Sequence, residues 1–114
     1  MIVEERMYTL HVGKVPEFME TYEREGLPLL RRYLGNPYGF FINEVGPQNL
    51  IVHLWAFESF EDREKRRAAL AADPAWPAYR AKNQPRIMSQ ETRVMRPPAF
   101  FLPILRAMLN ASKL

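Results

Sequence analysis

The sequence contains no cysteine, so it can form neither a disulfide framework nor a metal site built from thiolates. Histidine is almost as scarce: His11 and His53 stand far apart and form no HExxH pattern. We therefore predict no metal ion and no cofactor. The Gly-x-Ser-x-Gly turn of serine hydrolases and the glycine-rich loops that hold phosphates or dinucleotides are also absent. These absences leave no motif that names a reaction.

Long apolar runs are missing as well. No stretch approaches the roughly 18 apolar residues of a membrane-spanning helix, and the opening residues MIVEER are too charged for a signal peptide. We therefore expect a cytoplasmic protein without membrane contact. The net charge is only +3, and the basic run at residues 63–67 is diluted by acids and lacks interleaved aromatic residues. This run predicts a solvated helix face, and we expect no nucleic-acid binding.

The order of elements along the chain indicates the fold. The 114 residues suffice for one compact domain. Leu50–Phe57 is almost continuously apolar, which is typical of a central strand covered on both faces. Further strands are predicted at residues 2–10, 38–45 and 87–95, and helices after Pro16, with a kink near Gly26, and at Phe60–Ala72. This βαββαβ order predicts an α+β ferredoxin-like fold with a four-stranded antiparallel sheet and helices on one face.

The hairpin between the second and third strands suggests how the protein assembles. If the loop is residues 46–49, Ile42 lies opposite His53 and one sheet face carries a set of aromatic rings. These rings belong to Tyr38, Phe40, Trp55 and Phe57. We expect this face to lie away from the helices, where it would be costly to leave in water. The sequence therefore predicts a homodimer in which two sheets pack face to face.

Residues 99–114 form an apolar tail after the double proline at 97–98. Arg106 and Lys113 are its only charged residues. A tail of this composition is costly to expose. We predict that it packs on the domain formed by residues 1–98 or on a partner subunit.

Several short segments, taken in order, resemble the NIPSNAP family. They are residues 4–10 (EERMYTL), 13–15 (GKV), 26–28 (GLP), 43–47 (NEVGP), 52–55 (VHLW), 73–76 (DPAW) and 89–91 (SQE). The resemblance extends from about residue 2 to about residue 98. The family usually has leucine at the position of Glu5 and threonine at that of Met7, and both departures lie on one side of the first strand.

The resemblance implies a dimeric α/β barrel, in which two ferredoxin-like sheets face each other. Proteins of this barrel class include cofactor-independent monooxygenases, haem-degrading enzymes and isomerases. NIPSNAP members mostly lack an assigned reaction, and some animal members are mitochondrial adaptors. Haem ligation through His53 or His11 follows from class analogy only. The resemblance therefore bears on fold and assembly more than on chemistry.

His53 is the leading candidate for a catalytic residue, because imidazole titrates near neutral pH and can serve as a general base. Tyr8 is the second candidate, since either Tyr8 or Arg6 would orient a substrate oxygen. The alternative for His53, which we weigh above catalysis, is a neutral core histidine satisfied by one hydrogen bond. The alternative for Arg6 is a salt bridge to an acid: Glu4, Glu44 or Glu91.

The first and third strands are neighbours in this fold, so their side chains can line one cavity. The candidate ligand-binding residues are Arg6, Tyr8, Phe40, His53 and Trp55. The first hypothesis is a homodimer that binds a small organic ligand in each barrel cavity. The second is a monooxygenase- or isomerase-like enzyme that uses His53 as its base. The third is a non-catalytic adaptor whose contact surface is the apolar tail.

Overall fold

The computed structural model of the protein describes residues 1–111. Its strands are β1 (Ile2–Leu10), β2 (Gly39–Ile42), β3 (Leu50–Phe57) and β4 (Ile87–Met95). Its helices are α1 (Val15–Thr21), α2 (Leu27–Leu34), α3 (Phe60–Ala72), α4 (Ala75–Asn83) and α5 (Leu102–Ala111). The four strands form one antiparallel sheet in the order β2-β3-β1-β4, which confirms the ferredoxin-like prediction. No helix within the described range is both long and apolar enough to cross a membrane.

A π-helical turn joins α1 to α2 at Tyr22–Gly26, where the sequence predicts a kink. Gly26 is needed there because an added Cβ would come within 2.5 Å of the Tyr79 ring on α4. The absent side chain therefore lets the aromatic ring of α4 pack directly on the turn. Single π turns inserted in α-helices are frequent at functional sites, and this one places Tyr22 against the sheet.

Side-chain to backbone hydrogen bonds lie at the starts of α3 and α4. The Ser59 hydroxyl accepts a hydrogen bond from the Asp62 amide at 3.0 Å and caps α3. The Asp73 carboxylate accepts from the Ala75 amide at 2.9 Å, which starts α4 directly after α3. The short connection holds both helices on the same face of the sheet as α1 and α2.

The hairpin differs from its predicted register. Phe40 lies opposite His53, and Ile42 lies opposite Ile51, so the pairing is displaced by two residues. The connection spans residues 43–49, longer than predicted, because Gly46 and Asn49 both adopt positive φ and turn the chain after β2 has ended. A shift of two residues preserves which side chains share a face.

The aromatic face of the hairpin lies under the helices and not open to water. Trp55 and Phe57 are only 1% and 2% exposed, and they belong to the same core cluster as Phe18 and Leu70 of the helices. The premise that these rings form a bare face is therefore wrong. The face turned away from the helices instead carries Phe41, Val52, Leu54 and the alternate residues of β1.

The tail contains α5, which is tied to the domain at one end of the sheet. Arg106 donates two hydrogen bonds to the Glu58 carboxylate, at 2.9 and 3.2 Å, just beyond β3. Leu105 on the same helix is 0% exposed. Val3 lies near that end of the sheet, on the face turned away from α1 to α4. It is nevertheless buried, with only 8% of its surface exposed. Residues 112–114 of the predicted tail lie outside the described residues.

Candidate ligand-binding site

A cavity of about 370 Å³ lies between the sheet and its own helices. Arg6, Tyr8, His53 and Trp55 line its sheet side, so four of the five predicted ligand-binding residues meet there. Phe40 lies behind them and stacks on the His53 ring with centroids 5.1 Å apart. The cavity thus lies between elements of a single chain, and not in the space between two facing sheets where the barrel hypothesis places it.

The helices contribute lining residues that the sequence analysis missed. Tyr22 comes from the π-helical turn, Arg67 from α3, and Trp76 and Tyr79 from α4. These residues are far from β1 in the sequence, so the sequence does not show that they lie near it in the fold. One signal was present for α3, because Arg67 lies three residues before Leu70, the buried leucine of that helix, and so falls on the same stripe.

His53 has one hydrogen bond, and that bond fixes where its proton lies. The side chain is 3% exposed, and its Nδ1 accepts a hydrogen bond from Trp55 Nε1 at 2.7 Å. An indole N–H is only a donor, so Nδ1 must hold a lone pair and the proton of a neutral ring must lie on Nε2. Nε2 is buried and has no hydrogen-bond partner among the described residues.

The surroundings of His53 keep its ring neutral. Burial lowers the pKa of His53 to about 3, and the positive charge of Arg6 adds to the effect, while Glu4 opposes it. Edge contact with Tyr8, at 4.9 Å between centroids, completes the apolar enclosure. His53 therefore matches the core-histidine alternative in its charge and its single bond, but its Nε2–H has no partner within residues 1–111.

Glu4 is the centre of a buried charge cluster. It is 0% exposed, and its carboxylate accepts hydrogen bonds from Arg6 Nη1 and Arg63 Nε, both at 2.5 Å. The Arg6–Glu4 salt bridge is the alternative that the sequence analysis gave for Arg6. The Arg67 guanidinium approaches the same carboxylate at 3.9 Å. The prediction that residues 63–67 form a solvated face is wrong for Arg63 and Arg67, which turn toward the sheet.

A second buried polar atom without a partner belongs to Tyr22. Its side chain is 4% exposed, and its hydroxyl has no hydrogen-bond partner among the described residues. Burial raises the pKa of Tyr22 well above its ordinary value, so the hydroxyl keeps its proton. The nearby Tyr79 hydroxyl accepts a hydrogen bond from Asn83 Nδ2 at 2.9 Å. Buried polar groups without partners are uncommon and require an explanation.

Metal ligands do not explain these groups. Within residues 1–111, no three or more histidine or carboxylate side chains are grouped so as to hold a metal ion. The cavity instead combines aromatic walls with N–H and O–H groups.

The family model for NIPSNAP matches residues 3–101. The chain belongs to the NIPSNAP family. A NipSnap homolog of Dictyostelium discoideum is 39% identical over 67 residues, which are 59% of this chain and 30% of that protein. This NIPSNAP chain thus spans about a third of the length of that curated relative.

Solved structures agree with this assignment. A NIPSNAP family protein of unknown function from Agrobacterium tumefaciens has a TM-score of 0.84 and 41% identity, over 88% of this chain and 90% of that chain. A putative antibiotic biosynthesis monooxygenase from Nitrosomonas europaea has a TM-score of 0.60 at 12% identity, over 85% of this chain and 98% of that chain. At this identity the second likeness shows the fold alone.

Proposed function

We propose that this NIPSNAP domain binds a small organic ligand in the cavity between its sheet and helices. The observation that carries the proposal is the pair of buried polar atoms, His53 Nε2 and the Tyr22 hydroxyl, that have no partner within the described residues. Both residues line the same cavity. An unpaired buried polar group costs about 1–3 kcal/mol, and a ligand that pairs with it would remove this cost on binding.

The geometry favours binding over the base catalysis considered for His53. A general base needs a lone pair aimed at the substrate. The lone pair of His53 lies on Nδ1 and accepts from Trp55, whereas its N–H lies on Nε2. Tyr8 is engaged as well, because its hydroxyl accepts a hydrogen bond from Arg6 Nε at 3.1 Å. We therefore assign both predicted catalytic residues to binding.

Replacing Tyr22 with phenylalanine should raise the stability of the free protein while it weakens ligand binding. The free protein should become about 1 kcal/mol more stable in urea unfolding, because an unpaired buried hydroxyl is removed. The matched control is Tyr33→Phe, which removes a hydroxyl that donates to Asp73 at 2.7 Å and should lower stability. Equal losses in the two variants would show that Tyr22 has a stabilising partner, which would contradict the proposal.

The ligand itself can be sought by native mass spectrometry of protein purified gently from expressing cells, followed by a crystal structure without added ligand. We expect a bound small molecule whose density contacts His53 Nε2. The Tyr22→Phe variant should retain less of it than the wild type, and Tyr33→Phe the same amount. Ordered water on His53 Nε2 and Tyr22, with no molecule carried by any of the three proteins, would overturn the proposal.

We further propose that two copies of the chain pair through the sheet face that α1 to α4 leave bare. The register places Phe41, Val52 and Met7 side by side across three strands of this face. Phe41 is 59% exposed, and Leu54 and Val52 are half-buried. Such an apolar row is self-complementary in a two-fold dimer, where the same patch serves both subunits. The exposed apolar row therefore supports the dimer in place of the aromatic rings, which the helices cover.

A lysine at Val52 should convert the dimer to a folded monomer. The charge would lie at the middle of the apolar row, where pairing would bury it without a partner. Light scattering after gel filtration should give twice the chain mass of 13.4 kDa for the wild type and the chain mass for Val52→Lys. Val12→Lys is the control, because Val12 is 87% exposed outside the sheet. A wild-type monomer, or a Val52→Lys dimer, would refute this pairing.

The two remaining expectations stay predictions. A cytoplasmic location is one of them. The adaptor hypothesis is the other: Phe100 on the tail is 79% exposed and available for contact, while Leu105 and Arg106 tie α5 to the domain.

A further inference from the structure

Four side chains at the cavity, those of His53, Tyr8, Tyr22 and Tyr79, can each donate a proton, while Gln84, Ser89 and Gln90 in the same lining carry acceptors as well as donors. His53 carries its N–H on Nε2, because Trp55 occupies Nδ1. The Tyr79 hydroxyl accepts from Asn83 Nδ2, and the Tyr8 hydroxyl accepts from Arg6 Nε, so each oxygen is used as an acceptor and its proton remains free to donate. Tyr22 adds a hydroxyl with no partner within the described residues. A molecule that satisfies these groups must supply acceptor atoms.

The charges at the same wall are unbalanced in favour of cations. Arg6, Arg63 and Arg67 surround the single carboxylate of Glu4, and each guanidinium stays charged in a protein. Arg63 has a second partner in Glu64 at 2.7 Å. Arg67 has no ion pair within the described residues closer than its 3.9 Å approach to Glu4. The Arg67 side chain, which lines the cavity, is therefore a cation without a close anion.

The pKa values report the same positive field. Burial lowers the pKa of Arg67, and the charge of Arg6 lowers it further. The pKa of His53 is lowered first by burial and then by Arg6, with Arg67 adding to the effect. These two groups on the cavity wall therefore resist an additional positive charge, and the field there favours an anion.

The size and walls of the cavity restrict the shape of its occupant. Its volume of about 370 Å³ is near the lower end of small-molecule pockets, about 300–1,000 Å³. Aromatic rings from Tyr8, Tyr22, Trp76 and Tyr79 form much of its lining. Flat rings of this kind pack well against another planar group.

We propose that the cavity selects a small planar organic anion, such as an aromatic carboxylate, whose oxygens accept a hydrogen bond from His53 Nε2–H and are neutralised by Arg6 and Arg67. This inference rests on the proposed ligand-binding function and adds the chemical class. It also assigns His53 the role of an obligate donor, oriented by Trp55. A neutral ligand would leave Arg67 without an anion, and a cationic ligand would meet the guanidinium groups of Arg6 and Arg67.

Three probes of similar size test the class by isothermal titration calorimetry: benzoate, neutral benzamide and cationic benzylamine. Benzoate should bind at least about tenfold more tightly than benzamide, since hydrogen bonds to charged groups contribute about 1.5–3 kcal/mol. Benzylamine should not bind. Arg67→Met should lower benzoate affinity by about tenfold and leave benzamide unchanged. Lys65→Met is the charge-matched control, because Lys65 is exposed on the same helix and absent from the cavity lining.

Long-range ¹H–¹⁵N NMR of the full chain tests the donor role independently. The protonated nitrogen of His53 should be Nε2 in the free protein, and its signal should shift when benzoate is added; exposed His11 provides the reference signal. Benzamide or benzylamine binding as tightly as benzoate, no benzoate binding, or a proton on Nδ1 would each overturn this inference. Those results leave the general proposal to its own tests, which are the stability of Tyr22→Phe and the search for a small molecule carried by the protein.

Discussion

Glutamine in place of Glu4 should lower the free energy of unfolding by about 3–5 kcal/mol, the usual cost of removing one partner from a buried ion pair. Glutamine keeps the size of the side chain and removes its charge. Arg6, Arg63 and Arg67 would then face one another around a neutral amide, with side chains only 14%, 19% and 27% exposed. Urea unfolding at pH 7 measures the loss.

Glu64 provides the matched control for this substitution. Its carboxylate also pairs with Arg63, at 2.7 Å, but its side chain is 72% exposed. Glu64→Gln should therefore change stability by no more than about 1 kcal/mol. An equally small loss of stability in Glu4→Gln and Glu64→Gln would contradict this prediction. It would mean that water reaches the arginines and that the charge cluster around Glu4 is not important for the stability of the fold.

The effect of Glu4 also has a defined dependence on pH. Burial alone raises the pKa of Glu4, but hydrogen bonds from Arg63 and Arg6 outweigh it, so the net pKa is lowered. A lowered pKa in the folded state adds stability above the unfolded pKa and loses it as the pH falls. The difference between wild type and Glu4→Gln should therefore shrink below pH 4.5, the ordinary value for glutamate.

Strong local signals made most of the secondary structure predictable. The bounds of β1, α3 and β4 agree with the structure, because caps, prolines and changes of polarity mark their ends. The family and the ferredoxin-like fold were predictable for the same reason, since many short motifs occur in the right order. The register of the hairpin was not predictable. Positive φ at Gly46 and Asn49 gives a longer loop than the proline and glycine at residues 46–47 indicate.

The sequence could not show which sheet face the helices cover. Alternation assigns side chains to two faces correctly at Trp55 and Val52, but it does not say which face is inside. That choice depends on packing between distant elements. For this reason the aromatic rings were predicted on the bare face of the sheet. Tyr22 and Arg67 were missed as well, because they reach the cavity only where the π-helical turn and α3 pack on the same face.

Lowering the pH from 6.5 to about 5 should cost the folded protein on the order of 2 kcal/mol through His53 alone. The pKa of His53 is about 3 in the folded state against 6.5 for a free histidine. Below pH 6.5 the unfolded chain therefore binds a proton that the folded chain excludes, and stability falls by about 1.4 kcal/mol per pH unit until about pH 3. Carboxylates add their own losses only below about pH 4.5.

His53→Gln should flatten this dependence between pH 6.5 and about 5, whatever its effect on absolute stability, because the titrating ring is gone. Urea unfolding at fixed protein concentration measures the slope, and His11→Gln, on an exposed histidine, should leave it unchanged. A slope that survives in His53→Gln would mean that the ring is protonated in the folded protein. A catalytic base is tuned toward the working pH, whereas burial beside Arg6 moves the pKa of His53 away from it. The pH profile thus separates a donor that stays neutral from a base that must accept a proton.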